Sequence, residues 1–271
     1  MSESILLGAV AYDPKVVSIW EGIREYYRDA AVEMDFVLFS NYEAQVDALL
    51  KGRIEIAWNT NLAYVQTHRA TGGACEVLAM RDTDLDFRTL LVGRPGELAS
   101  AEDLSGRTLA LGSADSAQAA IMPVHYLSRQ AITPGEDVKL LRFDSDVGKH
   151  GDTGASERDT LRAVLNGDAD AAAVAAASWD VFVRAGEVPP GALAPFWTSP
   201  GYAHCNFTTL PSLGRETGQA WAAHLMAMDW DVPEHRRILE LEGLRRWVQP
   251  QLEGYRDLFE AVDEQGIAAR W

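Results

Sequence analysis

The 271-residue sequence has no long apolar run, only two cysteines, and a minority of basic residues. Each shortage excludes something. A membrane-spanning helix needs roughly 18 or more consecutive apolar residues. The longest apolar candidate, 171–177, is short, Ala-rich and preceded by Asp168 and Asp170, so no membrane insertion is expected. Cys75 and Cys205 lie far apart and form neither a metal-ligand spacing nor a disulfide framework, although one bridge between them stays open at this level. Lys and Arg number 24 against 40 Asp and Glu, a formal charge of −16. A surface of that sign repels phosphate backbones and anionic lipid, which argues against nucleic acid as a partner. GxSxG, HExxH, P-loop and GxGxxG motifs are absent. Ahead of the first apolar run, Ile5–Val10, stand only Met1-Ser2-Glu3-Ser4, with neither the basic flank nor the apolar length of a secretory leader. As written the sequence is expected to be cytoplasmic, or periplasmic or extracellular if a leader has been removed.

The 47% hydrophobic content is ample for a core. Short apolar strands alternate with amphipathic helical stretches, the pattern of largely parallel sheets flanked by helices. Strands are expected near 5–11, 33–39, 54–58, 76–80, 88–93, 108–112, 139–143 and 169–176. Asn41 reads as the N-cap of a helix over 42–51, and Gly52 as its stop. Composition shifts at Arg94-Pro95-Gly96-Glu97, and a second unit starts near Thr108. It closes at Pro189-Pro190-Gly191, and the chain returns through Thr198-Ser199-Pro200-Gly201. The expected organisation is two lobes, residues 1–93 plus 201–271 and residues 94–200, joined by two hinge strands with a ligand cleft between them.

Three segments carry a resemblance. Residues 41–58, reading from Asn41 through Lys51-Gly52-Arg53 to Trp58, join a helix, a Gly turn and a strand. Residues 103–113, Asp103-Leu104-Ser105-Gly106-Arg107 through Gly112-Ser113, continue into Ser116 and His125-Tyr126-Leu127. Residues 160–171 run from Thr160 through Asn166-Gly167-Asp168 to Ala171. In this order and spacing they resemble the phosphate/phosphonate-type solute-binding proteins of ABC transporters. The resemblance implies an α/β, type II periplasmic-binding-protein-like fold of mixed sheets. It also implies hinge closure on a small anionic or zwitterionic ligand, and an ABC permease as partner where the protein is exported. In that family the helix beginning near Ser113–Gln118 presents hydroxyls and N–H groups to a phosphonate, and helix starts favour anions on physical grounds.

The chain departs from the pattern in charge. Ser156-Glu157 stands where phosphonate binders commonly carry Ser-His, and Asp115 sits within the anion-facing turn. The polar loop 144–154 is long, and Lys149, His150 and Asp152 within it are candidate ligand contacts. The ligand is therefore expected to carry a positive or hydrogen-bond-donating group as well as, or instead of, an anionic one. Candidate ligand residues are Tyr12, Asn59, Thr60, Asn61, Asp82, Ser113, Ser116, Gln118, His150, Asp152, Glu157 and His204.

Two rival readings use the return segment. A cytosolic enzyme on the same scaffold would use His150, Asp152, His204 and Cys205, with His150 and Cys205 as catalytic candidates and a metal such as Zn or Fe as an optional aid. Against it, His204 and Cys205 are neighbours, and on a regular strand their side chains would face opposite ways. An intracellular ligand sensor would use the amphipathic stretch Glu234–Ala269 as a docking face. No cofactor is expected.

Overall fold

The computed structural model describes residues 4–267. In chain order the elements are β1 (Ile5–Val10), α1 (Lys15–Tyr26), β2 (Met34–Phe39), α2 (Tyr42–Leu50), β3 (Ile56–Asn59), α3 (Asn61–Ala70), β4 (Glu76–Arg81) and β5 (Thr89–Gly93). They continue with β6 (Thr108–Leu111), α4 (Met122–Arg129), β7 (Lys139–Arg142), α5 (Ala155–Asn166), β8 (Ala171–Ala175), α6 (Ala176–Arg184) and β9 (Ala194–Thr198). The last are β10 (Asn206–Thr209), α7 (Arg215–Met226), α8 (Pro233–Glu242), β11 (Trp247–Val248) and α9 (Arg256–Glu264). The chain divides into two compact units, one of residues 1–86 and 203–255, the other of 87–202 and 256–271.

The first unit holds a six-stranded sheet in the order β11-β4-β10-β3-β1-β2. β1 pairs in parallel with β2 and β3, while β10 enters antiparallel between β3 and β4. Strands covered on both faces by helices read as continuous apolar runs, and Ile5-Leu6-Leu7-Gly8-Ala9-Val10 is such a run. A Cβ on Gly8 would lie 2.5 Å from Ile54 Cδ1, so a side chain here would force Ile54 to move. Aromatic rings fill the core: Trp20, Trp58, Trp221 and Trp247 all pack around Phe207. The Asn41 cap is present, its Oδ1 accepting from the Ala44 N–H at 2.8 Å. Gly52 follows with φ +64°.

The second unit holds a five-stranded sheet in the order β7-β6-β8-β5-β9. β6 pairs in parallel with β7 and β8, and β5 runs antiparallel to both β8 and β9. β8 is all Ala and Val and fully buried, so α5 packs closely against it.

Three expected boundaries move. By position in the sequence β5 is expected in the first lobe. Its full register with β8 (Thr89 opposite Ala175 to Gly93 opposite Ala171) puts it in the second sheet, and the division falls at Asp86 rather than Gly93. The C-terminal helix α9, expected with the first lobe, belongs to the second unit. Buried His125 meets Glu264 through Nδ1 at 2.7 Å, and the Tyr126 hydroxyl donates to Asp257 at 3.0 Å. The return falls at Tyr202–Ala203 rather than at 201. Residues 1–3 and 268–271, including the end of the stretch Glu234–Ala269, lie outside the described residues.

Candidate functional site

In the second unit the polar groups gather beyond the C-terminal ends of β6 and β8. β6 ends at Leu111, and the chain turns through Gly112-Ser113-Ala114-Asp115 into a helix that starts at Ser116. Its first stretch, Ala117–Ile121, is π-helical and leads directly into α4. Wide π turns inside helices recur at functional sites. Ser116 caps this helix, its hydroxyl accepting from the Ala119 N–H at 3.2 Å.

The polar loop 144–154 folds onto this turn. Ser113 Oγ donates to Asp146 Oδ1. Asp146 Oδ2 accepts from the Thr153 hydroxyl at 2.6 Å, and Asp144 accepts from the Ala114 N–H at 2.8 Å. Asp115 accepts from the Gly148 N–H. Asp115, expected to oppose an anion, is thus engaged with Asp144 and Asp146 in building the loop. His150, at φ +53°, and Gly151, at φ +85°, both occupy the left-handed region, where His150 is strained and Gly151 is not. A Cβ on Gly151 would lie 2.5 Å from both Ser116 Oγ and Gln118 Nε2. Gln118 Nε2 donates to the His150 carbonyl at 3.4 Å, and Thr89 Oγ1 donates to the Gln118 carbonyl at 2.8 Å. The Tyr202 hydroxyl lies 2.9 Å from Thr89 Oγ1, and burial keeps that phenol protonated by raising its pKa.

Gly154, at φ +65°, leads into α5, whose second and third residues are Ser156 and Glu157. Glu157 is fully buried. Its Oε1 accepts from the Ala175 N–H at 2.6 Å. Burial pushes the carboxyl up to about 7; Ala175 and Ser178 pull it down, and Asp146 and Asp152 add to the rise. Glu157 Oε2, Gln118 Oε1 and Ser156 Oγ are buried and have no hydrogen-bond partner among the described residues.

In the first unit the candidates fall at the end of β3 and along the return segment. Asn59 is buried and accepts from Gln45 Nε2 at 2.8 Å. Thr60 caps α3 through Ala63, and Asn61 donates to the Ala203 carbonyl at 3.3 Å. Tyr12 packs against the first core. Asp82 accepts from the Arg245 N–H at 3.2 Å, a contact that ties β4 to the segment before β11.

Next to Asp82 lies a buried charge network absent from the sequence-based candidates. Arg81 spans Asp84 with two hydrogen bonds, Nε at 2.6 Å and Nη2 at 2.9 Å, and reaches Glu242 at 3.3 Å. Burial opposes the Asp84 charge, yet Arg81 and His204 outweigh it and hold the carboxyl at about 2. His204 Nδ1 lies 3.5 Å from Asp84 and 3.0 Å from Cys205 Sγ. The alternation expected of a strand does not apply, because β10 begins only at Asn206. His204 and Cys205 therefore meet, both buried. Donor atoms of Asp84, His204 and Cys205 lie within 4.8 Å of one another. A cation there would share the Asp84 carboxylate with the Arg81 guanidinium. Both cysteines are free thiols. The four residues of the enzyme reading are divided, with His150 and Asp152 in the second unit and His204 and Cys205 in the first.

Thr89 and Tyr202 carried no signal in the sequence as site residues. Each is placed by strand register or by a partner distant in sequence. Arg81 and Asp84 alone offered a hint, as opposite charges three residues apart.

Residues 11–255 match the family of periplasmic substrate-binding proteins of phosphonate ABC transporters. The chain belongs to that family. Among curated relatives, the probable ABC transporter phosphite binding protein PhnD1 of Prochlorococcus marinus is 23% identical over 248 residues, 88% of this chain and 80% of the relative. Its crystal structure with methylphosphonate superposes with a TM-score of 0.76 at 20% identity, covering 97% of this chain and 98% of that one. A Xanthomonas citri protein bound to ATP gives a TM-score of 0.73 at 17% identity, with 99% of each chain covered. The periplasmic aliphatic sulphonate binding protein SsuA of Escherichia coli gives 0.66 at 11%, covering 99% and 94%. The fold is that of the type II periplasmic binding proteins, and the chain is a substrate-binding protein of the ABC-transporter kind. The family's members are periplasmic, and no helix among the described residues is long and apolar enough to cross a membrane.

Proposed function

We propose that this chain captures a small phosphorus oxyanion, of the phosphite and alkylphosphonate class, in the periplasm and presents it to an ABC permease. The observation that carries the reading is the helix start at Ser116–Gln118. It lies just past the end of β6, in a chain matching the phosphonate-binding family over residues 11–255. The first N–H groups of a helix have no partner within it, and the dipole favours an anion there. The carboxylates nearest that turn, Asp144, Asp115 and Asp146, accept hydrogen bonds from the loop and the turn themselves, which moderates their repulsion of an anion. The bound ligands of two similar proteins, methylphosphonate and ATP, are both phosphorus oxyanions.

Thermal denaturation of the purified chain with methylphosphonate, phosphite, ATP and methanesulfonate tests the reading. Methylphosphonate or phosphite at a hundredfold excess over its Kd is expected to raise Tm by roughly 5–10 °C. A shift with methanesulfonate alone, or with none of the four, would contradict it.

A further inference from the structure

The second unit buries three polar atoms that no described residue satisfies: Glu157 Oε2, Gln118 Oε1 and Ser156 Oγ. Two of them only accept hydrogen bonds when Glu157 is ionised, and Ser156 either accepts or donates. Their residues are at most 3% exposed. Buried acceptors without donors are costly, and natural proteins keep few of them. The positions are linked through the same end of the sheet. Glu157 is fixed by the Ala175 N–H, Ala175 stands opposite Thr89 in the sheet, and Thr89 holds the Gln118 carbonyl. Ser156 backs onto Gly112, where an added Cβ would lie 2.9 Å from its hydroxyl.

A fully ionised oxyanion has no proton to give such acceptors unless one is supplied. We propose that Glu157, with Gln118 and Ser156 at the same end of the sheet, is a proton-sharing subsite: the ligand is held with one proton between the Glu157 carboxyl and a phosphorus-bound oxygen. The inference rests on the oxyanion reading above. When both partners are ionised the proton comes from a buffer acid in solution, whose bond to hydrogen breaks as the new O–H bond forms, leaving the conjugate base in solvent. The shared proton turns the repulsion between two anions into a charge-assisted O–H···O bond. Asp146 and Asp152 from the loop face Glu157 and favour its protonated form, Asp152 being also drawn to Lys149. The Tyr202 phenol, which stays neutral, lies within electrostatic range of Glu157, and the Ser178 hydroxyl on α6 favours the ionised form of Glu157, against the rise from burial and the two acids. β6 and β8 contribute no titratable side chain. Oxyanions with a basic oxygen, such as phosphite and phosphonates, suit this subsite. Sulfonates, whose oxygens are barely basic, do not.

Isothermal titration of the wild-type chain with methylphosphonate near pH 8.5, in two buffers of different ionisation enthalpy, counts the protons. Uptake of about one proton per ligand is expected, with affinity falling about tenfold per pH unit above both ionisations. Glu157→Gln is expected to abolish the uptake and flatten the pH dependence. Wild-type binding without uptake would overturn the inference, as would uptake unchanged in Glu157→Gln. The wild-type count decides on its own if the variant does not fold. Failure of the wild type to bind methylphosphonate or phosphite at any pH from about 5.5 to 8.5 would instead overturn the oxyanion reading.

Discussion

In the first unit the half-buried Arg81 binds the buried carboxylates of Asp84 and Glu242, whereas in the second the buried carboxyl of Glu157 has one oxygen without a donor. The contrast separates two uses of buried polarity. A charge whose partner lies in the same unit contributes to holding that unit together. An acceptor left open costs the unfilled protein stability, and that cost is recovered when ligand and proton bind together. Substitutions on the two sides should therefore differ in sign, which makes the comparison testable.

The largest effect is expected from Arg81→Ala. It takes the guanidinium away from Asp84 and Glu242, whose side chains are 0% and 3% exposed, and leaves His204 to face Asp84. Such breaks cost about 3–5 kcal/mol, read by urea denaturation at neutral pH. The same network sets the acid limb of stability. The Asp84 carboxyl is held at about 2, below its ordinary 3.8, so its contribution of about 2 kcal/mol is complete above pH 4 and fades as pH falls through 2.

Glu157→Gln should act in the opposite direction. A carboxyl raised to about 7 from its ordinary 4.5 binds more protons folded than unfolded between those values. Wild-type stability should thus fall as pH rises from about 4.5 to 7. The variant, whose amide oxygen still accepts from Ala175, should lose that slope and be about 2–3 kcal/mol more stable than wild type at pH 8. Denaturation midpoints at pH 5 and pH 8 check this. A variant less stable than wild type at both would break the comparison.

Gly151→Ala should cost about 1–3 kcal/mol, because it places a Cβ in the left-handed region and against Ser116 and Gln118. It should also weaken methylphosphonate binding, since the same residues stand at the helix start; a thermal-shift titration reads both. The smallest effect is expected from Tyr255→Phe in the first unit. The Tyr255 hydroxyl accepts from Asn206 Nδ2 at 2.8 Å and donates to the His204 carbonyl at 2.9 Å. Its loss should cost about 1–2 kcal/mol and leave methylphosphonate affinity unchanged.

Much of this architecture was legible in the sequence, for local reasons. Alternating strands and helices, the Asn41 cap, the Gly52 stop and the Ser156-Glu157 pair all rest on residues close together in the chain. The order of three segments led to the family. What stayed hidden depends on distant pairing. Nothing in Thr89–Gly93 says that it joins the second sheet, because apolar periodicity marks a strand without naming its neighbours. The place of α9 rests on His125 meeting Glu264, 139 residues away. The meeting of His204 and Cys205 was missed for a different reason, the assumption of strand alternation in a segment that is not yet a strand. The acids of loop 144–154 were visible, but their engagement with Ser113, Ala114 and Thr153 was not.

The central claim is that the open oxygen of Glu157 is completed by the ligand. A crystal structure of the chain grown with methylphosphonate near pH 7 tests it most directly. The account predicts a phosphonate oxygen about 2.5–2.7 Å from Glu157 Oε2, with Oε1 still on the Ala175 N–H. A bound phosphonate whose nearest oxygen is more than about 3.5 Å from Glu157 would contradict it.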